Sequence, residues 1–580
     1  MASARSLASL AALFALVACG GGGSGSGATP PPPGTPSNAV LSVSLSGGAS
    51  PGIDHLWVTV TGIAMHADAT RVYGDGDPGW VVQTLATPVT VDLADPSLAD
   101  GGAVSLLKQS VSTLGTYAQL RLLVAPSDPA LALASSASAK NLQFNDEVQY
   151  TDATGAHVVP LEIVDPQSGL RLLTPFNLSA DTTTPLGIEW NANSLVRRAS
   201  VAGADRFTLR NELQLYNQQL LTALGDGNLQ IDGSLFDSIS GQLDTTNFCT
   251  GASHAGCIHD VVASATSISS DSRFHAEVRS VNVGANGSFL LYPLPNPATQ
   301  FDVVIHGGNM ETIVVHNVFV DPTGILKPVP TSLSSAATPI VPTLNTGERP
   351  VSLANALVPS ASRVFFGQTV AGTGGGSGGA DIPYAIVAGN TDPATGTLLH
   401  ALALPAGPLH YASFDTTKDG NGKPPTFTTV TPAEGAGAWT VWSQGTLATG
   451  TSALTTLASG APAATVSNPV ALAGFAAGTL TVTVSGAATN GADHAELIVF
   501  NDGGIVAVAD VSSQLASHGG TTVFNVPSGA TASAPGAAAY GVALRTWVAA
   551  SETTSARWVR VGSPLDLSTA TSATAALALP

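Results

Sequence analysis

Strand-length stretches in which apolar, often β-branched residues alternate with polar ones recur along most of the chain. "AVLSVSLS" (39–46) and "HLWVTVTGIAMH" (55–66) open the series, followed by "PVTVDL" (88–93), "TYAQLRLLV" (116–124), "GLRLLTPFNLS" (169–179) and "PLGIEW" (185–190). Alternation of this kind turns one face of a strand inward and the other outward. The pattern returns in "SISGQLDTT" (238–246), "TIVVHNVFV" (312–320), "AGTLTVTVSG" (477–486), "HAELIVF" (494–500), "AYGVALRTWVA" (539–549) and "ARWVRVG" (556–562). Turn residues recur roughly every 8 to 12 positions, the spacing of sandwiches and barrels. Helical periodicity is scarce; only 104–114 and 211–221 predict short helices. The expectation is an all-β protein of several β-sandwich-like domains in tandem. At 580 residues the chain exceeds one core and implies about three to four domains. Shifts in composition place boundaries after 204 and 345, and the Ala-, Gly- and Thr-rich remainder, 346–580, makes one domain or two.

The beginning of the chain breaks the pattern. Arg5 precedes an apolar run over 7–18. The run is shorter than the ~20 residues that span a bilayer and suits the central region of a secretory signal. It ends Leu16-Val17-Ala18-Cys19, which resembles the lipobox of bacterial lipoproteins. The resemblance implies that 1–18 is a cleaved signal peptide and that a lipid is attached to the Cys19 sulfur. Acyl chains there would make a membrane the first partner, since each buried methylene contributes about 0.8 kcal/mol. Gly and Ser over 20–27 and the prolines Pro30 to Pro33 cannot bury a core. Residues 19–38 thus read as a tether, lifting the folded part by roughly 25 Å. Gly20, after the cysteine, implies by the same resemblance the outer membrane of a bacterial cell envelope.

Charge narrows the partners. Charged residues are 10% of the chain and the net charge is −19, with five lysines in all. Phosphate neutralisation needs clustered Lys and Arg, so the balance argues against nucleic acid and against electrostatic docking on anionic lipid.

Several of the strand-like segments carry a resemblance. "VTVTGIAMH" (58–66), the "GWVV" turn (79–82), "PVTVDL" (88–93) and "LGTYAQLRLLV" (114–124), followed by a final strand near Glu189, together resemble a family of bacterial lipoproteins known as domain of unknown function 4382. The cover is about 39–204. "GGASPG" (47–52) stands where the family has an Asp-Ala-Pro turn, and Glu189 is followed by Trp190 where an Asp is common. The family has no established activity to carry over. Residues 205–345 resemble the transthyretin-like β-domains that accompany carboxypeptidases. The matching features are Gly241 after a strand, the Asn286-Gly287 turn into Phe289 and the Leu294-Pro295 pair. That resemblance implies a sandwich used for stability or docking.

Candidate chemistry is sparse. "CTGASHAGCIHD" (249–260) sets Cys249, His254, Cys257 and His259 close together. These are zinc-ligand types, but the interleaved order departs from the usual close Cys pair and distant His pair. Export favours instead a Cys249–Cys257 disulfide, which stabilises a short loop by about 2–3 kcal/mol. An oxidised pair cannot bind zinc, so no metal is expected. Two Gly-x-Ser-x-Gly matches exist. After Ser50 comes Pro51, which lacks the N–H that an oxyanion hole needs, and Ser377 sits in a glycine tract with no strand before it. "VVIHGGN" (303–309) looks like an esterase oxyanion loop but fits the last hairpin of the second domain equally well. Asp75 and Asp77, and Asp415, Asp419 and Asn421, offer turn oxygens for calcium without the bidentate acid of an EF-hand. Trp439 and Trp442 fall on opposite faces of one strand, so they form no sugar-binding platform together.

No catalytic residue and no cofactor emerges. The expectation is a lipid-anchored cell-envelope β-protein with a non-enzymatic binding or structural role, its further partner an envelope protein or a glycan. A surface hydrolase of esters or polymers, and a glycan- or calcium-binding module, are the alternatives.

Overall fold

The computed structural model describes residues 38–580 except 210–219, 223–235, 247–257, 321–330, 354–361, 416–422, 530–537 and a number of interruptions of one to five residues. Cys19 and the tether lie outside the described residues, as do Cys249, Cys257, His254 and His259.

The first unit is a pair of facing sheets. In one, Ala39–Gly47 lies between Thr183–Trp190, to which it is parallel, and Val104–Val111, to which it is antiparallel. The first and last long strands of the unit are therefore neighbours. The other sheet is eight-stranded and is built around His55–His66. That strand pairs with Val81–Asp92 on one side and with Gln119–Val124 and Glu147–Asp152 on the other. Alternate residues of both sheets meet in one core that includes Leu41, Val43, Val58, Val60, Leu122 and Trp190. The helix expected over 104–114 is a strand instead. Its register against Ala39–Gly47 shifts at Val43/Ser44, so that Leu107 and Ser105 find partners and Leu106 does not. This bulge turns the adjacent Leu106 and Leu107 both inward, at 6% and 3% exposure. Loss of strict alternation at a bulge is what made the segment read as helical. Of the second expected helix, residues 210–219 lie outside the described residues, and Leu220–Thr222 is a strand.

The middle of the chain shares one ten-stranded sheet, with strands from both sides of residue 345. In order across the sheet they are Thr428–Val430, Leu409–Ser413, Ile313–Phe319, Gln300–His306, Val262–Ile268, His275–Asn282, Pro383–Asn390, Ser362–Thr369, Trp439–Gly445 and Thr455–Leu457. Two short three-stranded sheets accompany it. The one formed by Ser288–Pro295, Phe236–Gln242 and Thr331–Ser332 closes a core with Phe289, Leu291, Val303 and Ile305. The one formed by Leu402–Pro405, Glu348–Leu353 and Ala463–Ala464 closes a second, with Val351, Leu404, Phe366 and Trp439. Gly241 faces Phe289 so closely that a Cβ there would lie 2.2 Å from the ring, which explains a glycine inside that strand.

The last unit is a sandwich. Ala476–Ser485 lies between Gly519–Ser528 and Ser572–Ala578, opposite a sheet of Gly504–Asp510, His494–Asn501, Ala539–Trp547 and Arg557–Arg560. Leu480, Val482, Val499, Tyr540 and Val542 fill the space between them. The protein is all-β, in several sheets along the chain. Among the described residues no helix is long and apolar enough to cross a membrane.

Candidate functional site

Three polar constellations stand out, one within the first unit, one where the first and last units meet and one within the ten-stranded sheet. The first gathers the residues behind the family resemblance. His66 ends one strand and Trp80 precedes the next, and their rings are 4.9 Å apart. Gln119 and Arg121 reach in from the neighbouring strand. Arg121 is fully buried, lies 5.5 Å over the Trp80 ring and donates to the carbonyls of Ser168 (3.0 Å) and Arg71 (3.2 Å). Gln119 Nε2 donates to the carbonyls of Asp68 and Arg71 at 2.6 and 3.0 Å. His66 Nδ1 lies 2.9 Å from the Asp68 N–H, and its Nε2 faces Asp77 Oδ1 at 3.5 Å. The Gly79 N–H foremost, with His66 and Arg71 beside it, holds the Asp77 carboxyl below its ordinary range. A Cβ on Gly79 would lie 2.6 Å from His66 Nε2, so the glycine of the "GWVV" turn is a packing requirement. Both carboxylate oxygens of Asp77 have protein partners, Arg71 Nε at 3.0 Å and the Gly79 N–H at 2.7 Å. The constellation pins the loop over 67–80 onto the sheet.

The second constellation joins the first unit to the last. Glu162, 3% exposed, lies between two guanidinium groups. Arg545 Nε and Nη2 donate to Glu162 Oε1 at 2.9 and 2.7 Å, and Arg206 Nε donates to Oε2. Arg206 Nη2 also pairs with Glu496 at 2.7 Å, and Arg545 Nη1 with Glu552 at 2.9 Å. Burial would push the Glu162 carboxyl up, but Arg206 and Arg545 together hold it below its ordinary value. Arg206 keeps its charge despite burial because Glu162 and Glu496 raise its pKa. Beside this network Val164 packs on Ile498, Phe500, Ile505 and Ala543, and Arg560 pairs with Asp128 at 3.1 Å.

The third lies in the ten-stranded sheet. Asp302 accepts from the Tyr384 hydroxyl (2.7 Å), from His316 Nδ1 (3.0 Å) and from the Asn317 N–H (2.8 Å). His275 Nδ1 is 3.3 Å from Asp302 Oδ2, and its ring stacks on Tyr384 at 4.0 Å. Burial pushes the Asp302 carboxyl up, but His316, His275 and the Asn317 N–H bring it below its usual range. Burial pushes the Tyr384 phenol well up, with Asp302 adding to it, so Tyr384 is a donor that does not ionise. Asp302 orients His316 through Nδ1. Ser413 is the register partner of His316 on the next strand, but no hydrogen bond joins them.

A cavity of about 170 Å³ also opens between the first unit and the middle sheet. Its walls include Ser50, Ile53, Arg198, Phe207, Asn390 and Leu402. Ser50 is 1% exposed, and its N–H donates to Asn282 Oδ1 at 3.2 Å.

Of the other residues weighed from the sequence, Trp439 and Trp442 are both buried, on opposite faces of their strand and in different cores. His306 ends the strand Gln300–His306, and burial pushes its imidazole down to about 4. Ser377, Asp75, Asp419 and Asn421 lie outside the described residues. Among the described residues, no group of three or more His, Cys, Asp or Glu side chains has a geometry suited to a metal ion. Sequence reasoning singled out neither Glu162 nor Asp302. Asp302 alternates with Val304 on a buried face, and an acid at such a position is the available signal. Glu162 lies on the face opposite Leu161 and Ile163, where alternation expects polar residues, so nothing local marks it.

The His66–Trp80–Gln119–Arg121 constellation is built from the segments that carry the resemblance drawn from the sequence, and a family model matches over them. Residues 38–210 match the model of the family described as Domain of unknown function (DUF4382). The match supports the resemblance drawn for the N-terminal domain and covers only that part of the chain. No curated protein matches the chain. Among solved structures, "The Bacillus anthracis TIE protein" is similar over 93% of this chain and 74% of that one, at 9% identity. Its TM-score of 0.12 is too low for the likeness to carry an argument.

Proposed function

We propose that this is a lipid-anchored protein of the bacterial cell envelope that presents a stiff array of β-sheets in a non-enzymatic binding or structural role. One observation carries the reading: the units are joined by buried polar contacts, one of them charge-compensated. Glu162 lies between Arg206 and Arg545 at the junction of the first and last units. Arg279 of the middle region donates to the Gly47 carbonyl of the first at 3.0 Å. Such joints suit a protein that holds a shape at a distance from its anchor better than one whose domains swing on linkers. The lipobox-like 16–19, with acylation at Cys19, and the Gly/Ser/Pro tether supply the anchor and the spacing in this reading. The transthyretin-like character of 205–345 is part of the same proposal, with that region as a docking module. A Cys249–Cys257 disulfide fits the oxidising side of the membrane.

Metabolic labelling of the full chain with an alkyne fatty acid tests the anchor. Label should enter the wild type and be absent from Cys19→Ala, which should leave the membrane fraction. Acylation or membrane retention in the variant would sink the proposal. A second reading, a surface hydrolase, draws on Asp302 orienting His316 beside Ser413 on the adjacent strand. A fluorophosphonate probe decides it, since labelling that disappears in Ser413→Ala would replace the first reading.

A further inference from the structure

The ten-stranded sheet is two half-sheets joined at a narrow seam. Its central strands, His275–Asn282 and Pro383–Asn390, run parallel and share one register pair, His275 with Tyr384. By contrast Pro383–Asn390 pairs along its other edge with Ser362–Thr369 from end to end. The residues at the seam carry chemistry on one face and oil on the other. On the apolar side Phe274, next to His275, packs on Trp442 at 5.0 Å, and Trp442 stacks on Phe365. On the polar side lie His275, Tyr384, Asp302 and His316.

His275 is the uncompensated member of that group. It is 3% exposed, and neither ring nitrogen makes a hydrogen bond. Its Nδ1 is near Asp302, but that carboxylate already accepts from Tyr384, His316 and Asn317. Nε2 faces the glycine tract, where a Cβ on Gly375 would lie only 2.9 Å away. The tract is held in turn by Asp381, which accepts from the Gly372 and Gly374 N–H groups at 2.8 and 2.7 Å. The titratable groups around the imidazole are thus Asp302, His316 and Tyr384, with Tyr411 and Asp381 beyond them; Glu277 and Arg279 follow on its own strand. A positive charge there would lie beside His316 and would have to share an acid that already accepts three hydrogen bonds, with no room for water until a neighbour moves. We propose that the His275–Tyr384 pairing is an acid-sensitive joint, at which protonation of His275 releases the strand Pro383–Asn390 from His275–Asn282.

The direction follows from burial. Burial pushes the His275 imidazole down from 6.5 to about 4, Asp302 opposing the shift and His316 adding to it. A folded-state value below the open-state one means that the closed joint is fully favoured above pH 6.5 and loses that advantage as pH falls to about 4. The opening constant then rises by about 100-fold between pH 7 and pH 4.

Hydrogen–deuterium exchange of the full chain between pH 7 and pH 4, corrected for intrinsic rates, reads this opening. Peptides from 274–282 and 383–390 should gain opening of that order while 479–485 and 519–528 do not. His275→Phe keeps a ring against Tyr384 and removes the proton site, so the pH dependence at the joint should vanish. The same dependence in His275→Phe would overturn the proposal, as would equal gains in the reference strands. His306→Gln should leave the dependence at the joint in place; its disappearance there would assign the effect to His306 and overturn the proposal. Should His275→Phe fail to fold, exchange at the imidazole Cε1 of the wild type is decisive. Half-protonation of His275 near pH 4 is expected, and a value near 6.5 overturns the joint.

Discussion

The junction between the first and last units and the seam within the middle sheet solve the same problem in opposite ways. Both bury ionisable side chains between elements far apart in sequence. At Glu162 each charge meets an opposite charge: two guanidiniums for the carboxylate, and further acids for the guanidiniums. At His275 a neutral imidazole is buried beside an acid already in use, with both nitrogens unbonded. Arginine stays charged at any ordinary pH, so the first junction depends on pH only through its acids. Histidine changes charge in mildly acidic solution. The difference teaches that burial of polar groups does not by itself make a region sturdy. Whether each group has a partner in every protonation state decides that.

The largest expected effect comes from breaking the compensated junction. Glu162→Ala would leave Arg206 and Arg545 buried without their shared acid and should cost about 3–5 kcal/mol in denaturant unfolding. A loss below 1 kcal/mol would mean that the guanidiniums reach solvent and that the contrast is false. Acid sharpens the comparison next. His275 and His306 both have folded values of about 4 against 6.5. Stability of the middle region should therefore be intact above pH 6.5 and fall by about 3 kcal/mol for each imidazole as pH approaches 4. Glu162, with its folded value depressed, supports the other junction above its ordinary 4.5 and loses that support only as pH falls further. Limited proteolysis along a pH series should accordingly cut the middle region before the first and last units come apart; the reverse order would refute the contrast.

A smaller effect tests the packing of the middle region without touching charge. Gly241→Ala would drive a methyl into Phe289 and should destabilise by about 1–3 kcal/mol, with partial recovery in a Gly241→Ala/Phe289→Leu double variant. The smallest is a control on the last sandwich. Thr483, on its exposed face, should change stability by no more than about 0.5 kcal/mol as Thr483→Ala.

What the chain reveals alone is its local grammar. Alternation over 39–46, 55–66, 477–486 and 539–549 specifies strands because a half-buried strand needs side chains of opposite character on its two faces. Trp439 and Trp442 fall on opposite faces for the same reason, and the close packing of Gly79 and Gly241 is foreshadowed by their place in recognisable motifs. A segment that breaks the period is misread, as 104–114 is, because a bulge turns neighbouring residues the same way. Pairing across distance is another matter. That Ala39–Gly47 lies beside Thr183–Trp190, that strands on both sides of residue 345 share a sheet, and that Glu162 meets Arg545 all depend on contacts hundreds of residues apart or between elements of similar pattern. Many such pairings satisfy the same alternation, and only simultaneous packing of all the cores selects one. His275 is an ordinary strand residue until the fold places it beside Tyr384, Asp302 and His316. A buried charge is defined by its neighbours, and those are supplied by tertiary structure.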